Sequence, residues 1–256
     1  MTPGERLRGT LVGFVAGLAG GLFGVGGGIL LVPMLTSFFA LDQHRAHGTS
    51  LAAIGATALT GLLVYAAHGD VAWSTGAIMA VASTACAPLG ARWAARSSRA
   101  GLIRAFAIFL AVVAVRLLWR PPLADGVPHV AGLGGALAAL SVGAAVGLLS
   151  GFMGVGGGIL AVPAMLLLFG ASQPVAQGTS LALILVTAPI GAFEHHRHGN
   201  VAIGLVGWLA LGAALGAPLA SVVALRLPQA VLAPAFAVFL VANAVHTWIR
   251  AARIGH

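Results

Sequence analysis

The residues best placed to do chemistry in this chain are glycines. In Gly24-Val25-Gly26-Gly27-Gly28, followed by Ile29-Leu30-Leu31-Val32-Pro33, three consecutive glycines make poor continuous helix and open the backbone. A helix that restarts behind them has first amides without intrahelical acceptors, at the positive end of its dipole, which suits a bound anion. The segment occurs twice: residues 147 to 163, GLLSGFMGVGGGILAVP, match residues 17 to 33, GLAGGLFGVGGGILLVP, at 12 of 17 positions and an offset of 130. Gly26, Gly27 and Gly28 therefore have counterparts in Gly156, Gly157 and Gly158. No Lys-Ser/Thr follows either run, so neither is a nucleotide loop. The competing reading is helix packing, because Gly13, Gly17 and Gly21, and likewise Gly20, Gly24 and Gly28, stand at small-xxx-small spacing.

Hydroxyls come second. Gly48-Thr49-Ser50-Leu51-Ala52 recurs as Gly178-Thr179-Ser180-Leu181-Ala182 at the same offset. Thr49, Ser50, Thr179 and Ser180 stand where a polar connection meets an apolar helix, where they either cap the new helix or donate to an oxyanion; both readings stay open. The residues just before differ between the halves, with His47 against Gln177, Arg45 against Val175 and Asp42 against Ser172, so a role for any of these is not two-fold.

A third group is His68-Gly69-Asp70 against Glu194-His195-His196-Arg197-His198-Gly199-Asn200. His68, His198 and Glu194 are candidates for coupling proton movement to transport; a solvated interfacial loop or an adventitious metal site are the alternatives. Pro88 and Pro218, at matching points inside long apolar stretches, would kink or break helices, and such flexibility serves gating as well as plain bending. No catalytic residue, metal centre or cofactor is expected. There is no GxSxG elbow and no HExxH, and the lone Cys86 excludes an intramolecular disulfide, a Cys cluster and a CxxC pair.

The elements that must position these residues are membrane helices. Hydrophobic residues make up 59% of the chain and charged residues 7%, too few charges for the exterior of a soluble domain of this length. The net charge of +8 comes from arginines in short connections, with no lysine, and is a topology signal, not a nucleic-acid face. Apolar segments run at approximately 9 to 23, 28 to 41, 46 to 67, 71 to 91 and 101 to 119, and again at 130 to 153, 158 to 171, 176 to 193, 201 to 225 and 230 to 249. The expected fold is all-α and polytopic, with residues 1–125 as a first repeat and 126–256 as a second, each of about five helical segments. The leading pair of each repeat is expected to be short or re-entrant, since about 20 Å of helix does not cross a core of about 30 Å. If that pair is a hairpin, ten arginines lie on one side and Arg116, Arg120 and Arg226 on the other. That bias expects both termini in the cytoplasm and the second repeat inverted relative to the first.

The duplicated GxxxGxxGxGGGxxxxP segment, followed by GTSL and a HG(D/N)V turn, resembles the TauE/SafE family of sulfite exporters, also described as a superfamily of sulfur-compound and organic-anion permeases. The resemblance runs from about residue 10 to 250. It implies a bacterial inner-membrane permease that exports sulfite, sulfonates or related small anions. It also implies a site around Gly24 to Gly28 with Thr49 and Ser50, and around Gly154 to Gly158 with Thr179 and Ser180. A basic residue matching Arg45 is missing from the second half, which rules out a paired arginine clamp. The alternatives are a selective anion channel and a permease for non-sulfur organic anions. The expected partners are the small anion, the lipid bilayer and, from the small-residue faces, a second copy in a homodimer.

Overall fold

The computed structural model describes residues 2–94, 99–119, 132–153 and 156–254. Among them are ten helices and no strand: α1 (Pro3–Phe23), α2 (Gly28–Phe38), α3 (Gln43–Ala67), α4 (Trp73–Ala94), α5 (Arg99–Trp119), α6 (Gly132–Met153), α7 (Gly158–Leu168), α8 (Gln173–Arg197), α9 (Ile203–Arg226) and α10 (Gln229–Ile254). The bounds of α7 and α8 are those of α2 and α3 moved by 130 residues, so the duplication seen in the sequence is also a duplication of elements. The boundary expected between residues 125 and 126 lies outside the described residues.

Local chemistry sets where these helices begin. Thr2 caps α1 through the Glu5 amide while the Glu5 carboxylate takes the Thr2 amide at 2.8 Å, and Pro3 fills the first turn. This capping box starts α1 at Pro3, earlier than the apolar run suggests. The expectation that both leading segments are short is thereby corrected: α1 has 21 residues, about 31 Å of helix. Only α2, with 11 residues, and its copy α7 are short. Pro88 and Pro218 sit inside α4 and α9, which run on past them, so of the two expected effects, a kink or a break, the break does not occur at either.

The chain doubles back between α1 and α2. A Cβ on Gly20 would lie 2.7 Å from the Gly27 amide nitrogen, and one on Gly27 would meet the Ala16 carbonyl, so α2 starts beside the middle of α1. At its far end, Phe39 and Leu41 line a cavity of about 350 Å³ with Glu5 of the first turn of α1, Arg45 and residues 201–205. The hairpin therefore returns to the side from which α1 set out.

Glycine makes the long contacts possible. A Cβ on Gly13, Gly17 or Gly21 of α1 would enter the backbone of Leu209, Ala213 or Ala217 of α9; Gly143, Gly147 and Gly151 of α6 stand in the same relation to Met79, Ser83 and Ala87 of α4. The small-xxx-small spacing is here a packing stripe. Helix α3 pairs with α8, and α5 with α10. Phe23, at the end of α1, stacks on Phe239 of α10 at 4.5 Å between ring centres. Large apolar side chains such as Leu63, Val81, Phe193 and Val238 are exposed on the outside, as a lipid-facing surface requires. Among the described residues, five helices (Gln43–Ala67, Gly132–Gly151, Gln173–Arg197, Ile203–Arg226 and Gln229–Ile249) are long and apolar enough to cross a membrane.

Candidate functional site

The two glycine breaks meet. Gly26 and Gly27 are left-handed, at φ 71° and 78°, and so are Gly156 and Gly157, at 78° and 76°; only glycine takes these angles without strain. Gly27 and Gly157 cap α2 and α7, each without a side-chain hydrogen bond. Gly154 and Val155, the beginning of the second motif, lie outside the described residues. A Cβ on Gly158 would lie 3.1 Å from Cα of Val25, which places the second break directly on the first.

Two isoleucines at equivalent positions close the contact. Ile184 of α8 would come within 3.1 Å of a Cβ on Gly26, and Ile54 of α3 within 2.8 Å of one on Gly156, so each packs across the boundary between repeats. Both are fully buried. One turn before Ile184, the Ser180 hydroxyl donates to the Gly158 carbonyl at 3.4 Å; Ser50 is buried at the matching place on α3. Gly26, Gly156, Gly158 and Ser180 are thus brought together, while the cavity bearing Arg45 lies at one end of the molecule.

Neither threonine caps its own helix. Thr49 Oγ1 accepts the amide of Ala202, just ahead of α9, at 2.9 Å, and Thr179 Oγ1 accepts that of Ala72, just ahead of α4, at 2.9 Å. Each caps a helix of the other repeat instead of its own. The adjacent glycines let the backbones close up at the same two places, since a Cβ on Gly48 would meet the Asn200 carbonyl, and one on Gly178 the Asp70 carbonyl. The GTSL motif and the HG(D/N)V turn are therefore two halves of one joint, made twice. Because the start of α3 meets the end of α8 and the reverse, the two helices are antiparallel.

The histidine turns stay at the surface. His68 and His198 are exposed, and the Nδ1 of each is 2.8 Å from a carbonyl of its own helix, Val64 and Glu194. Glu194 is an exposed partner of Arg197 at 3.8 Å and of His198 at 3.7 Å. Among the described residues no group of three or more His, Cys, Asp or Glu side chains could hold a metal.

Sequence reasoning missed a buried polar clamp. Gln177 donates from Nε2 to the Leu22 carbonyl at 2.9 Å, and the Tyr65 hydroxyl lies 2.9 Å from both the Gly21 carbonyl and Gln177 Oε1, its single proton serving one at a time. Together they satisfy carbonyls left open at the end of α1. The available signal was composition: Tyr65 is the only tyrosine in the chain, and buried tyrosines need a partner for the hydroxyl.

The family model described as sulfite exporter TauE/SafE matches residues 2–117 and 138–255, and so takes in both breaks, both joints and all ten helices at least in part. The chain belongs to the TauE/SafE family. Among curated relatives, a probable membrane transporter protein of Xylella fastidiosa (strain Temecula1 / ATCC 700964) is 31% identical over 244 residues, 93% of this chain and 91% of the relative. One from Xylella fastidiosa (strain 9a5c) is 32% identical over 222 residues, 85% and 83% of the two chains. The probable membrane transporter protein YunE of Bacillus subtilis (strain 168) is 29% identical over 234 residues, 81% and 85%. No solved structure matches. As a TauE/SafE protein the chain is a multi-pass membrane permease.

Proposed function

We propose that this TauE/SafE permease exports sulfite, sulfonates or related small anions across the bacterial inner membrane, binding them where the two glycine breaks meet. The observation that carries the reading is that contact: left-handed glycines at equivalent places open two helix starts, and Gly158 rests on Val25. Irregular backbone at membrane depth is tolerated where it is buried or lines a cavity, and two positive helix ends attract an anion without a permanent cation to trap it. The reading takes Gly26, Gly27, Gly28, Gly156 and Gly157 as amide donors and Ser50 as a hydroxyl donor, with Gly158, whose amide donates to the Gly156 carbonyl at 3.0 Å, and Ser180, which donates to the Gly158 carbonyl, lining the same place and exchanging those bonds for the anion. Thr49 and Thr179 hold the helices around them.

The working mechanism is alternating access between two inverted repeats, residues 1–125 and 126–256. The antiparallel α3 and α8 favour it, as does the close packing of Ile54 and Ile184 over the breaks, which must part before an anion passes and which argues against a permanently open channel. Placing both termini in the cytoplasm follows the arginine bias. A potential negative inside drives an anion outward, so export needs no coupling residue, in keeping with the exposed His68, His198 and Glu194. The reading is tested by uptake and counterflow of labelled sulfite and methanesulfonate in proteoliposomes, with proton and potential gradients imposed separately. Saturable flux that follows the potential supports it. No flux of either anion removes the sulfur assignment, and flux of other organic anions in its place identifies the alternative cargo.

A further inference from the structure

Thr57 of α3 is buried with 0% exposure, and its hydroxyl has no hydrogen-bond partner among the described residues. The other threonines of the central pair of helices are all engaged. Thr49 and Thr179 accept amides of the opposite repeat, Thr60 donates to the Ala56 carbonyl at 2.9 Å, and Thr187 donates to the Leu183 carbonyl at 3.1 Å. The contrast with Thr187 matters, because it occupies the position equivalent to Thr57 in the second repeat. A threonine inside a helix ordinarily returns its proton to its own preceding turn, and Thr57 alone of the two does not.

Thr57 lies beside the opened backbone. A Cβ on Gly20 would lie 2.6 Å from Cγ2 of Thr57 and 2.7 Å from both the Gly26 carbonyl carbon and the Gly27 nitrogen, so the methyl branch of Thr57 and the opened peptide share one face of Gly20, with the hydroxyl on the other branch of the same Cβ. Ile54, one turn earlier on the same face of α3, reaches Gly26 and Gly156. Other buried side-chain atoms also lack partners, on Thr75, Thr84, Gln173 and His195; Thr57 is distinguished by its position against the start of α2. A buried polar group without a partner is a cost that folding tolerates where a ligand supplies the partner.

We propose that the Thr57 hydroxyl is a direct ligand of the transported anion, donating to one of its oxygens beside the first amides of α2, so that the site is centred on the first repeat and is not shared equally by both. The proposal rests on the anion-permease reading above and adds to it a residue and an asymmetry. A sulfite or sulfonate oxygen accepts the hydroxyl proton without any covalent change, and the rest of its charge meets the helix start.

The test uses the purified full-length chain in detergent, titrated with sulfite and with methanesulfonate while thermal stability is followed. Thr57→Val keeps the methyl group against Gly20 and removes only the hydroxyl. Affinity is expected to fall about tenfold, the loss of one charge-assisted hydrogen bond, while the ligand-free protein melts at the same temperature or higher. Thr57→Ser is expected to bind like the wild type, and Thr187→Val likewise. A merely structural threonine would give the opposite pattern, a lower melting temperature with unchanged affinity. Wild-type affinity in Thr57→Val, or an equal loss in Thr187→Val, overturns the proposal. If the valine variant does not fold, Thr57→Ala carries the same comparison. If the wild type binds neither anion, the anion reading fails with it, a result distinguishable because it appears without any substitution.

Discussion

The Thr179 hydroxyl holds the amide of Ala72, on the far side of the repeat boundary, at 2.9 Å. Thr49 does the same for Ala202. Removing the Thr179 hydroxyl leaves a buried amide without an acceptor, which costs about 1–3 kcal/mol; the Ala202 amide is only partly buried. Thr179→Val is therefore expected to lower the melting temperature in detergent and Thr179→Ser to restore it, with the affinity for the anion unchanged in both. A loss of affinity at full stability would return the threonines to the binding site.

Gly26 separates the site from the scaffold. An alanine there must adopt φ near 71°, and its methyl meets the tip of Ile184 at 3.1 Å, with Cγ2 of Ile184 at 3.5 Å and Cβ of Ile54 at 3.7 Å; the left-handed angle costs about 1–2 kcal/mol. Gly26→Ala is expected to insert and fold yet lose most counterflow activity, because the methyl group lies between the two breaks. Gly27→Ala points at the Ala16 carbonyl and is expected to lose the fold itself. Equal transport by Gly26→Ala and the wild type would move the site elsewhere.

The packing stripe makes a sharper claim on stability. A methyl on Gly17 would sit 2.6 Å from the Ala213 carbonyl oxygen, whereas one on Gly55 of α3 meets nothing within 4 Å. Gly17→Ala is expected to destabilise by about 1–3 kcal/mol through overpacking, and Gly55→Ala to stabilise by up to about 1 kcal/mol through helix propensity. Thermal melting of the two variants side by side reads this out; the same sign for both would refute the close contact of α1 and α9.

Asp70, in the connection between α3 and α4, is held above its ordinary value of 3.8 by desolvation, against the smaller opposing pull of His68. A raised carboxyl pKa means the folded state binds the proton more tightly than the unfolded chain. The stability this confers is present below 3.8 and is lost as pH rises through the folded-state value. Asp70→Asn, which copies the Asn200 of the other turn, is expected to raise the melting temperature at pH 7 and to leave it unchanged near pH 3. A variant no more stable than the wild type at pH 7 would contradict the desolvation.

Much of this was legible in the residues. The apolar runs and the offset of 130 give ten segments that match the ten helices, because period and hydropathy are local properties. Capping chemistry at Thr2 and Glu5 lengthened α1 beyond its apolar run, since the run marks what is buried or meets lipid, not where hydrogen bonding starts. The glycine motif announced an opened backbone, but not that the two openings rest on each other. The partners of Thr49, Thr179 and Gln177 were illegible for a related reason: each bonds a residue more than 100 positions away. Thr57 is illegible because whether a helical hydroxyl bonds its own preceding turn, as Thr187 does and Thr57 does not, is not written in the sequence.

The reciprocal joints also bear on how the protein is made. While the ribosome is still working on the second half, α4 has already emerged, yet the hydroxyl that takes the amide ahead of it belongs to α8 and has not been translated. The first half must wait in the membrane with that entrance unlatched until Thr179 arrives, and the second half finds Thr49 already in place. Maturation is thus lopsided in time although the finished joints are alike. Two half-length chains, expressed separately, would each carry one latch and one empty catch, and would be drawn to complete one another.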